Sequence, residues 1–160
     1  MNDWKKMFSV ANIFSDSTKM LEVLQVALSN NENNEAVKIA ATTTIPIIVL
    51  KAFACEMYLK AYLSKEGSSS IPKTHDLHLL FRNLSKQGKS RINFKLLSKL
   101  QQSNKEYKSD DLEKDLIGVS NAFEEWRYFY EKSNHINIQF LNMFYETLRE
   151  LSLSPHATIE

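Results

Sequence analysis

Glycine and proline are scarce in this chain, with three of each among 160 residues. Sheet and tight-turn folds need those residues at fixed turn positions, so their scarcity, beside abundant Leu, Lys, Glu and Ala, points to helices. The one cysteine, Cys55, excludes an internal disulfide and fits a reducing compartment. It lies on an apolar row and reads as a small core residue, since an activated nucleophile would need a partner that the sequence does not identify. The longest apolar stretch, Ile45 to Leu50, is far short of a bilayer span. The opening MNDWKKMF has no apolar core of a signal peptide, so a cytoplasmic protein with no membrane association is expected. Also missing are a phosphate-cradling glycine loop, a GxSxG elbow, an HExxH pair and a cysteine cluster. His75 and His78, three apart, could share a face, but without such support neither a metal nor a cofactor is expected.

Net charge is only +1, yet its distribution is uneven. From Arg82 to Lys108 there are eight basic residues and one acidic, and from Asp110 to Glu131 seven acidic and two basic. Arg91, Lys95 and Lys99 fall at steps of four on one expected helix, opposite Ile92, Leu96 and Leu100. That row is the candidate nucleic-acid-binding surface. Read as having no aromatic interleaved among its charges, it fits a solubilising face better than a base-stacking track.

The periodicity gives five to six helices, no strand and no internal repeat, hence an all-α, up-and-down helical bundle. The whole of 1–160 reads as one helical domain, with an N-terminal segment 1–14 and a tail 153–160. A short first helix is expected around Trp4 to Ala11, then a second, capped near Ser15 to Ser17 and ending at NNENN. Pro46 should kink the next segment or begin a new helix near Ile45. GSSSIP is the clearest loop; Thr74 can cap the helix after it, which QGK should close. Leu112, Leu116, Val119, Phe123, Trp126 and Tyr130 follow at steps of four and three, one sustained seam expected to pack on the helix around Glu56.

Two charged clusters interrupt this pattern. Val49, Phe53, Glu56, Lys60 and Leu63 form one helical row beside the wholly apolar Ile48, Ala52, Cys55, Leu59 and Tyr62. A carboxylate and an ammonium on a core-facing helix must be paired, reach water, or serve a purpose. Four apart with Glu first, they can meet. In the second cluster Glu124, Arg127 and Glu131 share a row, so Arg127 can be gripped from both sides. Each cluster is open to a structural or a functional reading. His75, at the start of a helix, can orient the preceding loop by hydrogen bonding.

Three blocks in order, AFACEMYLKAYLSKEG, KTHDLHLLF and AFEEWRYFYE, resemble a bacterial HEPN-type domain, a helical family of toxin–antitoxin, phage-defence and RNA-processing systems. The resemblance runs from about Ile45 to Glu131, and with the last helix the HEPN-like part covers about 45–152. The resemblance implies that Glu56, Lys60, His75, Asp76, Arg127, Tyr128 and Glu131 occupy the family's polar positions. It also implies a homodimer formed through the faces that carry them. The function expected is a binding or regulatory module holding RNA, a nucleotide or a partner protein, such as a nucleotidyltransferase-type protein, in a polar cleft.

Catalysis is a separate matter. Active HEPN ribonucleases carry an Arg followed by a His after four to six intervening residues, so that a cation and an acid/base meet one phosphodiester. Here seven residues separate Arg127 from His135, a departure from that pattern, while Arg149 and His156, with six between, are split by Pro155. The alternative function is therefore a metal-independent endoribonuclease using Arg127 with His135 or His75. A helical scaffold with purely structural ion pairs is the third reading.

Overall fold

The computed structural model describes residues 3–123 and 137–153, and all of their regular structure is helical. The elements are α1 (Asp3–Ser29), α2 (Asn34–Thr42), α3 (Thr44–Lys65), α4 (Leu77–Arg82), α5 (Lys86–Ser103), α6 (Ser109–Gly118) and α7 (Ile138–Leu153). At the α2–α3 junction Thr43 keeps right-handed helical backbone angles, so the two form one interrupted rod. Counted that way, the described residues hold six helices, and the chain is the all-α bundle expected. Pro46 sits in the first turn of α3, where its missing N–H costs little.

The rod Asn34–Lys65 is long and apolar enough by composition to cross a membrane. Its second part is instead the central helix of the bundle, with Lys51 and Glu56 both buried. Small side chains at Ala52, Ala54, Cys55 and Ala61 let neighbouring helices approach α3 closely. Around them Tyr58, Leu59, Leu77, Leu80, Leu96, Leu116, Phe140, Phe144 and Leu148 are fully buried. Burial pushes the Cys55 thiol well up, only partly offset by the Lys51 charge, so Cys55 is a core side chain.

Four local expectations are corrected. First, α1 is one unbroken 27-residue helix, with no cap at Ser15 to Ser17. The hydroxyls that suggested a cap are satisfied inside the helix: Ser17 donates to Ile13 O and Thr18 to Phe14 O, while buried Ser15 meets Tyr145 Oη at 2.6 Å. Second, Asp76 caps α4, accepting from Leu79 N–H at 2.8 Å, while Thr74 Oγ1 accepts from Asp76 N–H. Third, QGK opens α5, whose cap Ser85 accepts from Gly88 N–H. A Cβ on Gly88 would crowd Glu66 Oε1, the end of a side chain that would have to shift to admit it. Fourth, the long seam is not one helix. α6 ends at Gly118, a turn follows through Asn121, and helix resumes at Ala122. The stretch around Trp126 lies outside the described residues, as does the KSN break.

Candidate functional site

α3 ends in a reversal that sets the site loop. Gly67 takes a positive φ of 78°, and Ser68 N–H bonds Leu63 O, closing the helix before GSSSIP. The chain then returns to the bundle just before α4 and is pinned on both sides of His75. Thr74 and Asp76 hydrogen-bond the backbone at the helix start, and Leu77 N–H donates to Ser120 O at 2.8 Å in the turn after α6. The seam break missed in the sequence therefore anchors α4 and brings Phe123 against His75, ring centroids 5.0 Å apart. Phe53 of α3 stands 5.3 Å from Phe123 and continues the aromatic wall.

Glu56 is the centre of this arrangement. It is 2% exposed, and each carboxylate oxygen has its own partner. Lys60 Nζ donates to Oε1 at 2.6 Å, one turn along the same helix, and His75 Nδ1 meets Oε2 at 2.8 Å. A carboxylate accepts, so the proton in the second bond belongs to His75 Nδ1. That fixes the imidazole's tautomer and orientation and leaves Nε2 as its other polar atom, on a side chain 43% exposed. Lys60 is mostly covered, with 17% of its side chain exposed. The arrangement is a buried carboxylate bracketed by an ammonium and an imidazole, whose second ring nitrogen can accept a hydrogen bond.

Of the residues singled out in the sequence, Glu56, Lys60 and His75 converge. Asp76 is beside them in the chain, but its carboxylate caps α4. Arg127, Tyr128, Glu131 and His135 lie outside the described residues. His78 turns away from His75 and pairs with Glu113 of α6 at 2.6 Å. Among the described residues no group of three or more His, Cys, Asp or Glu side chains could hold a metal ion.

The basic row of α5 is only partly free. Lys95 and Lys99 both clamp Glu150 of α7. Partial burial pushes the Glu150 carboxyl up, but hydrogen bonds and charge from the two lysines outweigh this and hold it below its usual range. Arg91 has no ion-pair partner among the described residues. The reading of a row without aromatics also fails, because Phe94, one position off it, is 81% exposed.

Sequence reasoning missed two further features. Lys51 is buried on α3, paired with Glu22 of α1 and donating to Asn142 of α7, a link across three helices. Its place on the helix, one position from the apolar row, carried the only signal. An exposed apolar seam also runs along α1 through Ile13, Met20 and Leu24, at steps of seven and four, with Val23 and Val26 beside it and Val37 and Ile39 on α2.

A family model described as HEPN domain matches residues 52–150, more than half of the chain. No curated protein and no solved structure matches it.

Proposed function

Because this chain belongs to the HEPN domain family, we propose that it is a binding or regulatory module of a bacterial defence or toxin–antitoxin type system, holding RNA or a nucleotide at the His75 face. One observation carries this reading: both oxygens of buried Glu56 are engaged, one of them by His75 Nδ1, so the imidazole of a partly exposed side chain is held in one orientation. A fixed ring nitrogen flanked by a lysine and an aromatic side chain suits a ribose hydroxyl, a phosphate oxygen and a base, all of which RNA offers. The system-level part of the proposal, with its cytoplasmic setting and a nucleotidyltransferase-type partner, rests on the family alone.

The module works as a homodimer. The uncharged seam of α1 supports this, since exposed large apolar residues at helical spacing mark a surface awaiting a partner, and a second α1 offers the same spacing in return.

A second reading, the metal-independent endoribonuclease, is favoured by the same Glu56–His75 bond. A carboxylate that orients an imidazole prepares it for proton transfer to or from a ribose hydroxyl. Labelled RNA incubated in chelator with wild type, His75→Ala and His135→Ala separates the readings. The module reading expects RNA bound and left intact. Chelator-resistant cleavage giving 2′,3′-cyclic ends, lost in His75→Ala or His135→Ala, would establish the nuclease and show which histidine serves it. Absence of any RNA or nucleotide binding would defeat both.

A further inference from the structure

At the C-terminal end of α3, a cavity of about 470 Å³ opens between α1, α3, α5 and α7. Lys65 lies nine residues beyond Glu56, about 13 Å along the helix axis, and the cavity lining shares no residue with the His75 site. Its volume falls in the range of small-molecule sites, roughly 300–1,000 Å³.

Its walls are of two kinds. Leu84, Ile92 and Leu151, all buried, are apolar lining, beside the rings of Trp4 and Tyr62. These rings are braced through Phe8, which packs edge-on against Trp4 at 6.0 Å and against Tyr62 at 5.1 Å. The polar wall holds Lys65 and Arg91, neither with an ion-pair partner among the described residues. Lys65 Nζ stands over the Trp4 ring at 5.4 Å. Desolvation, and then the nearby Arg91 charge, hold the Lys65 ammonium below its usual range, as expected of two cations near each other without a counter-ion. The lining also contains the carboxylate of Glu66, which is held at the wall by Ser85, another lining residue, accepting from its N–H at 2.8 Å and its Oγ at 2.9 Å.

We propose that this cavity binds a small organic anion with a flat aromatic body, its carboxylate or phosphate head held between Lys65 and Arg91 and its ring against Trp4 and Tyr62. The two cations, without an ion-pair partner among the described residues, call for an anion, and the apolar wall for a ring that inorganic phosphate lacks. An arginine fork and a lysine point charge together suit a phosphate ester or a carboxylate.

Calorimetric titration of the full chain with phenyl phosphate tests this, with inorganic phosphate and phenol as half-ligands. Benzoate and a purine nucleoside monophosphate serve as further arms that distinguish the head groups. Phenyl phosphate is expected to bind at least about tenfold more tightly than either half-ligand. The affinity should fall about tenfold or more in Lys65→Gln, Arg91→Gln and Trp4→Leu. Circular dichroism would confirm that each variant is folded, and should one not be, the other two carry the test. His75→Ala should bind as wild type does, which keeps the result separate from the RNA site. Binding no tighter than that of inorganic phosphate, equal binding by the folded variants, or no heat with any of the three aromatic anions would overturn the proposal.

Discussion

Glu56→Ala removes the one anion that holds both Lys60 and His75. Breaking a buried pair by deleting one partner costs about 3–5 kcal/mol, because the remaining charge is left without compensation. Lys60 retains 17% exposure and His75 43%, so both can turn partly to water, which places the loss at about 3 kcal/mol. For a domain of this size that is a fall in midpoint temperature of about 6–12 °C. Urea titration at pH 7 should show the midpoint lowered at unchanged slope. The double variant Glu56→Leu with Lys60→Met should recover much of the loss, since removing both members of a buried pair is close to neutral. A cost below about 1 kcal/mol for Glu56→Ala, the value of an exposed pair, would refute the reasoning.

Glu150 should contribute through Lys95 and Lys99, but being about two-fifths exposed it is solvent-screened, so Glu150→Gln should cost about 0.5–1 kcal/mol at pH 7. Its folded pKa is depressed, so that contribution is complete above the ordinary glutamate value of about 4.3 and fades as pH falls through the lower folded value. The difference between wild type and variant in urea titrations should therefore vanish in strong acid. Tyr145→Phe leaves Ser15 Oγ buried without its 2.6 Å partner and should cost about 1–3 kcal/mol by the same method, whereas an exposed hydroxyl would cost nothing. Met20→Glu with Leu24→Glu should convert a dimer to monomer in light scattering while leaving helicity intact; an unchanged mass would remove α1 from the interface.

Much of the bundle was legible because helical periodicity reports burial directly. The row Ile48, Ala52, Cys55 and Leu59 is fully or almost fully buried, and Glu56 and Lys60 meet as their four-residue spacing implied. The partnership of His75 with Glu56 spans nineteen residues of chain and was readable only through the HEPN resemblance. Local signals misled where tertiary context overrode them. Ser15 looked like a cap because the sequence could not show Tyr145 waiting for its hydroxyl. The seam through Leu116 and Val119 looked continuous because four-and-three spacing persists across a turn when both sides face the same core. Lys95 and Lys99 read as a free cationic row because Glu150 lies 51 residues beyond Lys99. The exposed seam of α1 went unseen since apolar spacing alone does not say which apolar face is covered.

The central claim is that Glu56 presents His75 to an RNA or nucleotide ligand. Anisotropy titration of labelled single-stranded RNA in chelator, comparing wild type with folded His75→Ala at fixed salt, tests it most directly. The account predicts affinity weakened at least about tenfold, with the salt dependence nearly unchanged because no phosphate-neutralising lysine has been removed. Equal affinity for the two proteins would contradict it and leave Glu56, Lys60 and His75 as a purely structural cluster.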